Sequence, residues 1–98
     1  MGNIVYKKLN DNTVEEIHTV VVHRFKVGDA EDPDLYAAQP LWEWEKSEPG
    51  QFVMSNAIEK PEWRRQLDYA GYNYIYAIIA KLEKKKLSEF YLRWGKIS

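Results

Sequence analysis

The sequence predicts an α+β fold: an antiparallel sheet of about four strands, in ββ-αα-ββ order, with a broken helical segment packed on one face. Three observations carry this. Two long runs, Val14–Val27 and Tyr72–Leu82, are rich in aromatic and β-branched residues and contain neither Gly nor Pro, so they read as strands. Between them lies a stretch opened by Asp32-Pro33 and cut by Pro40 and Pro49-Gly50, which reads as short helices. The tail, Leu87–Trp94, is apolar again and reads as the return strand of a hairpin.

Taken in order, Asn3–Leu9 is a short strand candidate, and Asn10-Asp-Asn-Thr13 is a turn, because Asn and Asp tolerate left-handed backbone. Val14–Val27 follows. Ile17, Val21, Phe25 and Val27 make one apolar row, while Val20 and Val22 sit in the other, which suits a central strand. Gly28-Asp29 ends it. Asp32 is placed to cap a helix, with Pro33 at its first position and Asp34 in the first turn near the positive end of the helix. Leu35–Ala38 makes one or two turns, Pro40 breaks the helix, and Pro40–Ser47 restarts it. Ser47 with Gly50 and Gln51 resembles a helix start, and Gln51–Ile58 is a last short helix. Trp63–Tyr69 is extended chain leading through a bend at Ala70-Gly71 into the hairpin.

The hairpin register decides the surface. If Leu82 faces Leu87, then Ile79–Phe90, Ala77–Leu92 and Ile75–Trp94 pair on a wholly apolar face that meets the helices. Tyr72, Tyr74, Tyr76 and Tyr91 then stand on the other face with Arg93, which can lie against Tyr76. This register is favoured over the one-residue slip that turns the tyrosines inward. The expected core is Ile17, Val21, Phe25, Leu41, Phe52, Val53, Ile75, Ala77, Ile79, Phe90, Leu92 and Trp94.

A chain of 98 residues makes one domain, residues 1–98. Its 45% hydrophobic content is that of a folded protein, and its net charge of −1 supplies no global field toward nucleic acid or membrane. No apolar run is long enough to span a bilayer, and the first residues lack the apolar stretch of a signal peptide, so a cytoplasmic protein is expected. The absence of cysteine excludes disulfides and thiolate metal sites.

Little in the chain points to catalysis. His18 and His23 lie five apart on a strand, hence on opposite faces, and cannot share a metal. Glu31, Asp32 and Asp34, with Asp29 nearby, form an acidic loop whose spacing fits no cation-binding loop, so capping and solvation are favoured. Glu43, Glu45 and Glu48, around Trp42 and Trp44, do not converge on one side of a helix. No glycine-rich phosphate loop or nucleophile elbow occurs. The expectation is therefore a protein that is not an enzyme, without cofactor or metal.

Aromatic residues are the chain's excess: four Trp and seven Tyr, which are enriched at the centres of interfaces. The leading expectation is contact with a protein partner, most simply a second copy in a homodimer, through Tyr72, Tyr74, Tyr76, Tyr91 and Arg93. The alternative uses the same face for single-stranded nucleic acid. There the tyrosines stack on bases while Arg64, Arg65, Lys81, Lys84, Lys85 and Lys86 meet phosphates.

The segments DPDLYAAQP (Asp32–Pro40), WEKSEPGQFVM (Trp44–Met54) and PEW (Pro61–Trp63) resemble small proteins of tailed bacteriophages, including those of marine bacteria, and the likeness covers about Val14 to Trp94. It brings no catalytic residues. It implies a small accessory protein of a bacterial host cytoplasm, acting on host machinery or in virion assembly.

Overall fold

A computed structural model describes residues 3–10, 13–28 and 30–95. The elements are strands β1 (Asn3–Asn10) and β2 (Thr13–Val27), helices α1 (Pro33–Lys46) and α2 (Glu48–Asn56), strands β3 (Glu62–Asp68) and β4 (Asn73–Glu83), and helix α3 (Lys84–Trp94). Of the expected turn at Asn10–Thr13 and the acidic loop, residues 11, 12 and 29 lie outside the described residues.

The class is α+β, with an antiparallel sheet. β3, β4 and β2 form its body, and β1 joins the outer side of β2, giving the order β1-β2-β4-β3. The two long strands, β2 and β4, are central neighbours. β4 pairs with Ile17–Val27, whereas β1 pairs with Thr13–Thr19, so most of the β1–β2 hairpin runs on past the end of β4. The molecule is accordingly long, 52 × 25 × 21 Å, with a radius of gyration of 15.2 Å. A compact chain of this length has about 13 Å.

The ββ-αα-ββ order is corrected at the C-terminus. Leu87–Trp94 is not a strand returning along β4 but the body of α3. Its apolar residues Leu87, Phe90, Tyr91 and Trp94 recur at helical spacing, and Lys, Leu and Glu are good helix formers. Gly95 closes it at φ 81°, a left-handed conformation that favours glycine, with its N–H bonded to the Tyr91 carbonyl. The strand against β4 is instead β3, the segment expected to be only extended chain; a turn containing Tyr72 at φ 54° joins the two.

Losing the hairpin reverses the faces of β4. Tyr76, Ile78, Ala80 and Leu82 point into the helix layer, and Ile75, Ala77 and Ile79 point away from it. One core cluster joins Val22, Ile78, Ala80 and Leu82 to Trp44, Val53, Leu87 and Phe90; a second joins Val27 and Tyr76 to Ala37. Of the expected core, Val53 and Phe90 are fully enclosed, and Phe25, Leu41, Phe52 and Trp94 pack at its margins. Ile17 is buried outside both clusters, on the side away from the helices. Val21, Ile75, Ala77 and Ile79 lie half-buried on that same side, and Leu92 is 87% exposed on the outside of α3.

The helix layer is continuous through Pro40, contrary to the expected break. The hydrogen bond a proline forfeits here is the one to the carbonyl of Tyr36, an exposed residue where water can replace it. The break falls instead at Ser47. Its hydroxyl accepts from the Gly50 N–H at 3.2 Å, so the helix start read around Ser47 is observed, with Pro49 in the first turn. Gly50 is obligatory in this corner: a Cβ there would sit 1.7 Å from the Trp44 carbonyl oxygen.

Candidate interaction face

Among the described residues the three helices lie on one side of the sheet, and the open side follows from strand register, since directly opposed residues share a face. Ile75, Ala77, Ile79, Lys81 and Glu83 of β4 stand beside Lys26, Arg24, Val21, Thr19 and Ile17 of β2. Gln66, Arg64 and Glu62 of β3 stand opposite Ile75, Ala77 and Ile79. The result is an aliphatic centre, Val21, Ile75, Ala77 and Ile79, within a charged rim.

The rim is polar in a directional sense. Lys26, Arg24 and Arg64 occupy the end near the β3–β4 turn. Glu62, Glu59, Glu83 and Glu15 lie toward the other end, with Lys60 and Lys81 among them. Lys81 is tied to Glu59 at 3.2 Å. Two adjoining shallow concavities, of about 310 and 420 Å³, mark this surface, and Arg64 and Ile79 line both.

The residues singled out from the sequence are not gathered here. Tyr76 is wholly buried on the opposite side of the sheet, stacked on Phe25 with ring centres 5.2 Å apart, so it is no contact residue. Tyr74 shares that side beneath Arg65, whose guanidinium lies 5.3 Å from its ring. Tyr72 is exposed in the turn before β4, while Tyr91 and Arg93 belong to α3. Arg93 lies against Phe52 and Trp94, not Tyr76. A single Tyr-rich sheet face is thus absent, because tyrosine rings that alternate with Ile75 and Ala77 went inward. The basic set is likewise divided. Arg64 and Lys81 are on the open face, Arg65 is on the helix side, and Lys84, Lys85 and Lys86 form the first turn of α3.

Arg65 and Tyr76 meet the acidic loop. Asp34 Oδ1 accepts from the Tyr76 hydroxyl at 2.5 Å and from Arg65 at 3.1 Å, which ties the start of α1 to the β3 side of the sheet. Burial, reinforced by the Asp34 carboxylate, pushes the Tyr76 phenol up to about 12.

The histidines also depart from expectation. A β-bulge between Val21 and His23 restores the face, so both point to the helix side, opposite Leu82 and Ile78. His18 contacts Glu16 at 2.7 Å, and Glu16 also accepts from Tyr6 at 3.1 Å and faces Lys84 at 3.8 Å. The His18 hydrogen bond leads these partners in holding the Glu16 carboxyl below its usual range. His23 stacks on Trp44 with ring centres 5.9 Å apart, and burial lowers its pKa. Trp42, next along α1, is 58% exposed, whereas Trp44 is core. Among the described residues, no three His, Asp or Glu side chains converge to hold a metal ion, and no helix is long and apolar enough to cross a membrane.

No family model matches the chain, and neither the curated proteins nor the solved structures contain a significant match to it. The open face is therefore read from its own residues. Sequence reasoning missed its role for Val21, Arg24, Ile75, Ala77 and Ile79. The signal lay in the second half of β4, where the odd positions end in Lys81 and Glu83 but the even positions end in Ala80 and Leu82. An inward odd row would have buried two charges.

Proposed function

We propose that this is a non-enzymatic interaction protein, and that its binding surface is the helix-free face of the sheet. One observation carries the reading: the helices cover one side of β2 and β4, while Val21, Ile75, Ala77 and Ile79 form an aliphatic centre on the other with none of the described elements above them. An apolar centre inside a polar rim is the anatomy of a protein contact. The likeness to tailed-phage proteins supplies the setting we attach to it: an accessory protein in a bacterial cytoplasm. Nucleic acid suits this face less well. Arg24, Lys26 and Arg64 can meet phosphates, but among the described residues the β2, β3 and β4 positions facing this side carry no aromatic ring on which bases could stack.

The test compares protein carrying Ala77→Glu with protein carrying Leu92→Glu, both checked for wild-type circular dichroism. A protein ligand should be lost by the first, which puts a charge in the aliphatic centre, and kept by the second on the far side of α3. Equal binding by both overturns the reading. Salt-sensitive binding of labelled single-stranded DNA or RNA, unaffected by Ala77→Glu, moves the site to the basic residues.

A further inference from the structure

The centre of the open face is self-complementary, and we infer that its partner is a second copy of this chain, packed sheet to sheet with strands antiparallel. The inference rests on the preceding reading and names the occupant of the same face.

Along β4 the centre reads Ala77 then Ile79, and on β3 the residues directly opposite are Arg64 and Glu62. Consider a twofold axis lying between the two sheets, across the strands, and passing between these two rows. It carries each Ile79 onto the partner's Ala77, large onto small. It also carries each Arg64 onto the partner's Glu62, positive onto negative. Both relations occur twice, as an isologous contact requires. The same operation lays Arg24 over the partner's Val21, Lys26 over its Thr19 and Lys81 over its Ile75, so that the aliphatic stems of the charged residues cover the partner's apolar side chains. Parallel packing would stack like ends on like. Face-to-face sheets cross at roughly 30° about 10 Å apart, and the four central positions lie so near the axis that this rotation leaves their pairing intact.

The area is sufficient. β2 and β4 over about ten residues and β3 over seven, at ~3.4 Å per residue and ~4.8 Å between strands, make ~440 Å² in plan. Side-chain relief and the Glu59–Pro61 segment bring the face near the ~600 Å² per partner at which specific interfaces begin. Arg64 and Lys81 line the same concavity as Ile79, and their stems can extend to the partner's rim on pairing.

Light scattering and sedimentation of the protein test this. Wild type should be a dimer, and Ala77→Glu a folded monomer. Arg64→Glu and Glu62→Arg should each weaken dimerisation by about tenfold or more, since each sets like charges against each other at two symmetric positions. An equimolar mixture of those two variants should dimerise again, because one then carries only acids and the other only bases at the crossing. A wild-type monomer at high concentration overturns self-pairing; the wider reading is then decided separately by the Ala77→Glu and Leu92→Glu comparison. A dimer indifferent to Ala77→Glu overturns both. A dimer that Ala77→Glu breaks but the mixture does not restore overturns the antiparallel arrangement alone.

Discussion

Ile78 and Ile79 are neighbours in one strand with the same side chain, and they have opposite fates. Ile78 sits among Val22, Trp44, Val53 and Phe90 at 4% exposure, in a row with Tyr76, Ala80 and Leu82. Ile79 faces away, beside Val21 and Ala77, in shallow concavities lined also by Thr19, Glu62, Arg64 and Lys81. Strand alternation creates two rows, but it does not say which is inside. That choice is made by the helices, and so by residues far from β4 in sequence.

Truncating each isoleucine exposes the difference most sharply. Ile78→Ala should cost ~2–5 kcal/mol by leaving a cavity in the packed cluster. Ile79→Ala should cost less than about 1 kcal/mol in dilute protein, where water already reaches the site. Urea denaturation of the two variants measures the gap. If Ile79→Ala costs much more in concentrated than in dilute protein, the outward row is covered by association, as the second-copy inference requires.

The inward row depends on helices held in one geometry, and Gly50 is where that geometry is tightest. Gly50→Ala drives a methyl group into the Trp44 carbonyl, so the α1–α2 corner must open and Trp44 must shift from the first core cluster. A loss of ~1–3 kcal/mol in thermal or urea unfolding is expected, the cost of overpacking a site that backbone walls prevent from relaxing.

These contrasts also show what could be read from the chain. The long strands, their central placement and the helix start at Ser47 were legible because each is a local pattern: β-branched runs, the absence of Gly and Pro, a capping serine. The inside of the sheet was not, because Tyr74–Ile79 is apolar on both rows and only Lys81 and Glu83 break the tie. Misreading α3 followed from the same ambiguity. Leu87, Phe90 and Leu92 fit a strand beside Tyr72–Leu82, and only the spacing through Tyr91 and Trp94, with Gly95 after it, marks a helix. A return strand at Leu87–Trp94 places Val21, Ile75, Ala77 and Ile79 in the core, and so hides the candidate face.

Tyr76 offers a smaller test, by pH. Tyr76→Phe keeps the stacking on Phe25 and removes the hydrogen bond to Asp34, so it should cost ~0.5–1.5 kcal/mol at neutral pH. The sign with pH follows from the raised phenol, about 12 in the fold against 10.0 ordinarily. The unfolded chain ionises first, so the contribution is complete below pH 10 and is lost as pH rises through about 12. The stability difference between wild type and Tyr76→Phe should therefore narrow across that window. A constant difference would mean the phenol is not shielded by the helix layer.

The least effect is expected at Leu92. Read as a strand residue paired with Ala77, it belongs to the core, and its truncation should cost ~2–5 kcal/mol. In α3 it is 87% exposed, on the side turned away from Phe90, so Leu92→Ala removes almost no buried area and slightly raises helix propensity. A change within about 0.5 kcal/mol either way is expected. Phe90→Ala, two residues earlier, should cost ~3–5 kcal/mol. Because both residues would share a face if Leu87–Trp94 were a strand, near-equal losses would return that segment to the sheet. A large loss at Phe90 alone is what the periodicity of a helix produces.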